Sequence, residues 1–227
     1  MRKLYIGNKN YSSWSMRPWV LMTQLGIPFE EVMVRFDSFG PDSVFKATMG
    51  AITPVGNVPA LVDGDITVWD TLAIVETLAE SFPDKGVWPA DPRQRAHARS
   101  LCAEMHSGFG ALRSACPMNI EASLPTVGAV VLRDQPGVRA DLARITRMWQ
   151  ELLTQHGGPM LFGAFSAADA FYAPVVMRLR TYGMPVPDDV RAYMDRVCAT
   201  PAVKAWIDGA LAEHDFVDFD EPYRVAP

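Results

Sequence analysis

The chain has 227 residues, of which 49% are apolar and 21% are charged, and its formal net charge is −5. This length suits one large domain or two modest ones with a packed core, and the negative charge argues against nucleic acid as a main partner. No Lys/Arg cluster suits a membrane surface, no apolar stretch approaches the roughly 18 residues of a membrane span, and the apolar run at 4–6 is too short for a signal peptide.

The first 80 residues alternate between strand-like and helix-like segments. Their apolar patterns predict strands at 3–7, 29–34, 60–62 and 66–69, and helices at 15–25, 44–49 and 70–82. The turn Asp63-Gly64-Asp65 between the last two strands predicts an antiparallel hairpin. The order strand-helix-strand-helix-strand-strand-helix is that of a thioredoxin-like α/β layer.

The composition changes after residue 82. Three prolines and one glycine within 83–92 predict a linker without helix or strand. Beyond the linker, strand-like alternation is absent, and the patterns predict helices at 93–114, 134–155, 166–182, 188–199 and 201–213. We therefore expect a thioredoxin-like domain over 1–82, a linker over 83–92 and an all-helical domain over 93–227. The tail from Phe216 onward is expected to pack loosely against the helices.

Three serines, Ser12, Ser13 and Ser15, lie between the first strand and the first helix. Because proline is tolerated only in the first turn of a helix, Pro18 indicates that this helix begins near Ser13 to Ser15. A helix N-terminus has unpaired N–H groups and partial positive charge, which stabilise a nearby anion. If that anion is a thiolate, a serine hydroxyl here can donate to it and lower its pKa. A plain helix cap is the alternative interpretation.

Two further segments combine polar groups with special backbone positions. Pro59 marks a strand start or a special turn, and a cis Val58–Pro59 bond would turn the Val58 backbone toward an extended peptide-like ligand, with an ordinary trans bond as the alternative. Asp70 and Thr71 open the third helix, where the Thr71 hydroxyl and backbone N–H groups can bind a carboxylate and Asp70 an amine. Those are the two groups of an amino acid, and a plain cap is again the alternative.

The helical half contains a capping box and an apolar helical face. Ser166 to Asp169 fits the capping box pattern, which we interpret as structural. The face is either core or binding surface, and His106 on it is either a general base or a core histidine. Its residues are Met105, His106, Phe109, Leu112 and Arg113.

The cysteines, at 102, 116 and 198, are odd in number and widely spaced, and the four histidines are scattered. This usage suits a reducing cytoplasm and offers neither a disulfide framework nor a metal site. Because no Cys-x-x-Cys motif is present, a thioredoxin-type oxidoreductase is excluded. Cys116 has no cationic neighbour in sequence and is predicted to be inert.

In this order and at these intervals, the segments resemble a cytosolic glutathione S-transferase of the bacterial, serine type, and the resemblance spans nearly the whole chain. The resemblance implies a catalytic Ser, Tyr or Cys after the first strand, which falls on Ser12 or its neighbours. It places the family's cis-proline loop at Val58-Pro59 and the Glu-Ser pair that holds the γ-glutamyl group at Asp70-Thr71. The capping box matches the family's helical-domain motif.

Ser12-Ser13-Trp14-Ser15 resembles the Ser-Ser-Cys-Ser motif of the zeta class, which includes maleylacetoacetate isomerases, with Trp14 in place of the cysteine. The first serine is the better match, so the resemblance assigns the catalytic role to Ser12, with Ser13 and Tyr11 as alternatives. Asn57 stands where related sequences often have a lysine before Val-Pro. Lys46 is a candidate substitute for binding the glycyl carboxylate.

The resemblance implies a cytoplasmic, homodimeric detoxification enzyme that uses glutathione as co-substrate, needs no metal and adds the glutathione sulfur to a small electrophile. The electrophile is expected between Ser12 and a helical face formed by Met105, His106, Phe109 and Arg113. Arg178 is a second possible contact for an acidic co-substrate. The alternatives are a zeta-like glutathione-dependent cis–trans isomerase and a non-catalytic glutathione-binding or regulatory protein on the same fold.

Overall fold

Four short strands form a mixed sheet in the computed structural model, which describes residues 1–225. They are β1 (Lys3–Ile6), β2 (Glu30–Met33), β3 (Ala60–Asp63) and β4 (Ile66–Trp69). The order across the sheet is β2-β1-β3-β4, with β1 parallel to β2 and antiparallel to β3. Strands β3 and β4 are antiparallel, which confirms the predicted hairpin. This sheet and its helices form the thioredoxin-like layer.

Three helices accompany the sheet, at α1 (Ser13–Gln24), α2 (Val44–Gly50) and α3 (Thr71–Ser81). Each lies within two residues of its predicted bounds. The start of α1 at Ser13 agrees with the prediction from Pro18, although Pro18 lies in the second turn rather than the first. The helix tolerates it there at the loss of one backbone hydrogen bond, since proline has no N–H.

Seven helices follow in the second half of the described chain. They are α4 (Pro92–Ser107), α5 (Gly110–Ala115), α6 (Pro125–Asp134), α7 (Pro136–His156), α8 (Ala167–Thr181), α9 (Asp188–Ala199) and α10 (Pro201–Glu213). The last two have the bounds that the sequence predicts. Within residues 1–225, no helix combines the length and the apolar character needed to cross a membrane.

The prediction of a single helix over 93–114 is wrong, because the chain breaks between α4 and α5. Phe109 has a left-handed φ of 53° between two glycines. A side chain at Gly108 would place its Cβ 2.6 Å from the Glu104 carbonyl oxygen, so only glycine fits this turn. The Gly-Phe-Gly segment was the available signal. Helix α6, which begins at Pro125, was also missed.

The tail and the linker differ from prediction as well. Residues Pro83–Lys85 form one turn of 3₁₀ helix, so the linker is not free of helix. The tail packs closely rather than loosely. Glu221 is 5% exposed and accepts hydrogen bonds from the Tyr11 hydroxyl at 2.6 Å and from Asn119 Nδ2 at 2.8 Å. A buried carboxylate with two donors fixes the tail against the loop that follows β1.

Helix α8 lies at the centre of the helical half and is almost entirely buried. Its capping box is formed as predicted: Ser166 Oγ accepts from the Ala168 N–H, and Asp169 Oδ2 accepts from the Ser166 N–H at 3.0 Å. Helix α1 packs against α8 and α10. The N-terminus of α1 therefore lies at the junction of the two halves of the molecule.

Candidate functional site

A cavity of about 800 Å³ lies beside the N-terminus of α1, between the sheet and the helices. Its wall includes all of the residues that the resemblance assigns to glutathione: Ser12, Asn57, Val58, Pro59, Asp70 and Thr71. Of the residues expected to hold the electrophile, Arg113 and Arg178 line the cavity. The cavity therefore brings together residues from five parts of the chain: the loop that follows β1, the segment before β3, and helices α3, α5 and α8.

Ser12 is the residue before α1, yet its side chain accepts no hydrogen bond from the helix N–H groups. Its Oγ lies 2.7 Å from Ser15 Oγ, which in turn accepts from the Gly7 N–H at 3.1 Å. Ser12 Oγ is the donor in this hydrogen bond and Ser15 Oγ the acceptor. Because Ser15 keeps its own proton and a hydroxyl rotates to suit its partners, Ser15 can donate to Ser12 when a ligand is bound, which leaves the Ser12 O–H to donate into the cavity. The plain-cap interpretation therefore does not describe Ser12.

The first backbone N–H groups of α1 are also uncommitted. The amides of Trp14 and Ser15 find no acceptor within residues 1–225. Because these donors and the helix dipole stand beside Ser12, the site stabilises a negative charge placed next to that serine.

The alternatives to Ser12 have partners of their own. Ser13 Oγ accepts from Arg178 Nη2 at 3.3 Å and also lines the cavity. The Tyr11 hydroxyl donates to Glu221 Oε1, and burial followed by this hydrogen bond raises the Tyr11 pKa to about 12. Since a phenol has one proton, Tyr11 is committed to the tail, whereas Ser13 keeps its proton for another acceptor.

The segment before β3 has the backbone form that the resemblance implies, with a cis Val58–Pro59 peptide bond. Lys46 Nζ donates to Asn57 Oδ1 at 2.7 Å and to the Gly56 carbonyl at 3.1 Å, and it lines the same cavity. A positive charge therefore stands beside Asn57, where the resemblance implies a lysine.

Asp70 and Thr71 open α3 at another part of the wall. Asp70 Oδ1 accepts from the Leu72 N–H at 2.8 Å, so Asp70 is a helix cap, and its Oδ2 lies 3.2 Å from His106 Nε2. Thr71 Oγ1 is buried and has no partner within the described residues. Buried hydroxyls are usually hydrogen-bonded, so this oxygen fits a ligand that supplies the missing partner.

Of the four residues expected to form the face for the electrophile, only Arg113 lines the cavity. Met105 is fully buried in the core, and Phe109 packs its ring against Tyr172, so neither lines the cavity. His106 also stands outside the cavity wall and contacts Asp70 instead. Met105 and His106 lie on α4, before the break at Phe109, and Arg113 lies after it on α5, so these side chains do not share one helical face.

Several wall residues were not predicted from the sequence, among them Trp14, Phe36, Phe39, Met118 and Asp220. Trp14 was noted only as a departure from the zeta motif, and Asp220 belongs to the tail that was expected to pack loosely. Within residues 1–225, no group of three or more His, Cys, Asp or Glu side chains is arranged to hold a metal ion.

Two family sequence models match the chain. The glutathione S-transferase N-terminal domain matches residues 11–81, and the glutathione S-transferase C-terminal domain matches residues 118–209. The chain belongs to the glutathione S-transferase family. Its thioredoxin-like and helical halves are the two domains of that family.

Among curated relatives, a zeta-class glutathione S-transferase of Euphorbia esula is 28% identical over 171 residues, which are 73% of this chain and 71% of that protein. A stringent starvation protein A homolog of Haemophilus ducreyi is 21% identical over a match that covers 86% of this chain and 85% of that protein. A maleylacetoacetate isomerase of Rattus norvegicus is 31% identical over 111 residues, 49% of this chain and 50% of that protein.

Among solved structures, a glutathione transferase homolog of Burkholderia GL BGR1 with bound glutathione has a TM-score of 0.69 and 25% identity. The match covers 93% of this chain and 98% of that one. A glutathione S-transferase from Xylella fastidiosa has the same TM-score at 21% identity, over 92% of this chain and 98% of that one, and supports the fold alone.

Proposed function

We propose that this protein is a glutathione transferase that binds glutathione in the cavity beside α1, activates it as a thiolate with Ser12 and directs it at a small electrophile. The main support is the state of Ser12, whose hydroxyl does not cap α1 and stands beside two uncommitted backbone amides. Family membership and the glutathione-bound Burkholderia structure support the same substrate.

The wall of the cavity fits the chemical groups of glutathione, which is γ-glutamyl-cysteinyl-glycine. The unpartnered Thr71 hydroxyl and the N-terminus of α3 suit the γ-glutamyl carboxylate, and Asp70 suits its amine. Lys46 and Asn57 suit the glycyl carboxylate. The backbone of Val58 suits the cysteinyl peptide groups, because an extended ligand pairs with an exposed backbone.

The chemistry depends on the ionisation of the thiol. A free thiol has a pKa of about 8.5 and is mostly protonated at neutral pH. Donation from Ser12 and from the amides at the start of α1 favours the thiolate, which is the nucleophile. Its sulfur forms the new bond to an electrophilic carbon, and either a leaving group departs with the bonding electrons or a proton adds to the neighbouring atom.

The proposal is tested by ultraviolet difference absorbance of the glutathione complex across pH. In the wild type we expect a thiolate band at neutral pH, and in Ser12→Ala we expect the thiol pKa to rise by about one to two units. The value of kcat/KM for 1-chloro-2,4-dinitrobenzene should fall roughly 100-fold. Tyr11→Phe is the matched control and should keep the band, because its phenol proton is held by Glu221.

The competing outcomes are distinct. A larger effect of Ser13→Ala than of Ser12→Ala would move the catalytic role to Ser13. Binding of glutathione by the wild type without any thiolate band would contradict the proposal and identify a non-catalytic binding protein.

A second candidate, a glutathione-dependent cis–trans isomerase, is favoured by the relative named maleylacetoacetate isomerase and by the three serines at 12, 13 and 15, whereas Trp14 in place of the zeta-class cysteine counts against it. Here the sulfur adds to a carbon–carbon double bond and leaves again after rotation. Incubation with maleylacetone separates the two functions, because isomerisation leaves the amount of free glutathione unchanged whereas conjugation consumes it.

Family membership also supports a homodimer, and the cysteine usage supports a cytoplasmic location. Sedimentation velocity at micromolar concentration tests the first, with a mass near twice the 25.1 kDa of the chain as the expected result. A monomer over the whole concentration range would contradict it.

A further inference from the structure

Three guanidinium groups from three different helices lie at the start of α1, two of them against the ring of Trp14 and the third against Ser13. The Arg17 guanidinium carbon lies 4.2 Å from the centre of a Trp14 ring, and that of Arg113 lies 4.8 Å from it. Arg178 reaches Ser13, the neighbour of Trp14, with its Nη2. The arginines belong to α1, α5 and α8, and Arg113, Arg178 and Trp14 line the cavity.

These three arginines have no acidic partner. Within residues 1–225, all the ion pairs that involve an arginine are formed by arginines other than these three. No described carboxylate oxygen therefore lies within 4.0 Å of a guanidinium nitrogen of Arg17, Arg113 or Arg178. Arg17 is 1% exposed, and its Nε and Nη1 are buried without a hydrogen-bond partner. Buried charges are normally paired, so the cluster is an uncompensated positive site.

The hydrogen bonds of the two wall arginines leave donors available. Arg178 gives its Nε to the Cys116 carbonyl at 2.9 Å, which fixes the plane of its guanidinium. Arg113 gives Nη1 to the His106 carbonyl at 3.2 Å, and its Nε and Nη2 have no partner among the described residues. A planar guanidinium with two adjacent donors matches a carboxylate bidentately.

The charges of the cluster oppose one another. Burial, followed by the charges of Arg178 and Arg113, lowers the pKa of Arg17 to about 9. Burial, followed by the charge of Arg113, lowers the pKa of Arg178 to about 10. All three groups still carry their charge at neutral pH, and an anion placed among them removes the repulsion.

One carboxylate faces this region from the tail. Asp220 lines the cavity, and burial followed by the charge of Glu221 raises its pKa to about 6, against the opposing effect of Arg178. It lies more than 4.0 Å from the guanidinium nitrogens, since it forms no ion pair with them in the described structure. One such group leaves most of the positive charge of three arginines unmatched.

Resting on the proposed function, we infer that the electrophile carries a carboxylate, which Arg113 and Arg178 bind beside Trp14. Arg17 does not line the cavity and acts through its field from behind the indole ring. The substrate class is therefore a small carboxylate-bearing electrophile rather than an uncharged aromatic one. The anion subsite is separate from Lys46 and Thr71, where the carboxylates of glutathione are proposed to bind.

The inference is tested first by binding, with two unreactive ligands that differ in charge, 4-nitrobenzoate and 4-nitrobenzamide. Isothermal titration of the wild type saturated with glutathione should give a Kd at least about tenfold lower for the acid. In Arg113→Met the preference for the acid should fall by about tenfold, because a charged hydrogen-bond donor is lost. Arg113→Lys keeps the charge but not the planar pair of donors, so it should retain only part of the preference.

Arg147→Met is the control for net charge, since Arg147 is an exposed residue of α7. It should leave the preference unchanged. Equal affinity of the wild type for acid and amide would overturn the inference. It would also be overturned if Arg113→Met weakened both ligands alike, or if it weakened glutathione binding instead of benzoate binding.

Turnover provides the second readout, with 4-chloro-3-nitrobenzoate and its amide as matched electrophiles. The glutathione sulfur forms a bond to the ring carbon, and chloride leaves with the bonding electrons. Arg113→Met should lower kcat/KM for the acid about tenfold more than kcat/KM for the amide. If no thiolate forms and neither compound reacts, the proposed transferase function fails, while the preference for 4-nitrobenzoate still decides the anion subsite.

Discussion

Helices α1 and α8 both begin after a buried serine, yet their first turns differ. At α8, the Ala167 N–H donates to the Val87 carbonyl, the Ala168 N–H to Ser166 Oγ and the Ser166 N–H to Asp169, so most donors at this helix start are used within the protein. At α1, Ser12 caps nothing, and the amides of Trp14 and Ser15 are left without acceptors.

The difference separates a helix start whose donors are satisfied by the protein from one whose donors remain free. The α8 start is closed by an internal carboxylate, which lies in the core and also accepts from the Leu161 N–H and the Tyr193 hydroxyl. The α1 start opens on a cavity and retains donors for a ligand. A helix N-terminus can serve as an anion site only while its donors are not already satisfied.

The largest expected effect is a loss of stability when the start of α8 is changed. Asp169→Ala leaves the Ser166 and Leu161 amides and the Tyr193 hydroxyl without their acceptor, and should lower the free energy of unfolding by about 3 to 5 kcal/mol. Urea unfolding followed by circular dichroism measures it. Activity per folded molecule should stay within about twofold at a temperature where the variant is folded.

Asp169→Asn is the matched control. It keeps the shape of the side chain and one acceptor oxygen, so its cost should be smaller than that of the alanine variant. A loss below about 1 kcal/mol in Asp169→Ala would contradict a closed, structurally important start for α8.

An intermediate effect distinguishes the two serines directly. Ser166→Ala removes a cap and should cost about 1 to 2 kcal/mol of stability while kcat/KM stays within about twofold. Ser12→Ala removes no cap and should cost about 0.5 kcal/mol, although its kcat/KM falls strongly. Thermal unfolding measures the loss of stability in each variant, and steady-state kinetics measure kcat/KM in each. Equal losses of stability would end the distinction between the two helix starts.

The smallest expected effect concerns the pH dependence of the open start. As pH rises through about 6, Asp220 ionises and places a negative charge in the cavity that Arg113 and Arg178 line. The affinity for 4-nitrobenzoate, which stays ionised, should therefore decrease about threefold between pH 5 and 7.5. Asp220→Asn should remove this decrease.

Two groups close to Asp220 have pKa values that are shifted away from that range. Burial raises the pKa of Glu221, but hydrogen bonds from Arg224 and Tyr11 lower it more, and the Tyr11 pKa is about 12. The same titration calorimetry at several pH values measures the effect. A pH dependence that persists in Asp220→Asn would show that another group is responsible.

Local features of this chain were predictable because they depend on neighbours a few residues apart. The hairpin at Asp63-Gly64-Asp65, the start of α1 near Ser13 and the capping box at Ser166 each follow from short sequence patterns. The break at Phe109 was missed although its Gly-Phe-Gly segment is local, because the apolar period of the flanking helices continues across it.

The arginine cluster was not predictable in the same way. Arg17, Arg113 and Arg178 lie on α1, α5 and α8, and they approach one another only because α1 packs against α8. In the sequence, Arg113 and Arg178 are single possible contacts for a co-substrate. No sequence pattern indicates that Arg17 and Arg113 lie against the same tryptophan or that the three arginines lack a carboxylate partner.

The sequence by itself determined the order of strands and helices over the first 82 residues and the segments to which the family resemblance assigns glutathione, since periodicity, turn residues and motif spacing are properties of short stretches. Tertiary structure alone decided which side chains line the cavity. It placed Met105 in the core, His106 against Asp70 and the tail carboxylate Asp220 in the wall. Burial and charge balance are set by residues distant in sequence, and only the folded packing brings them within a few ångströms of each other.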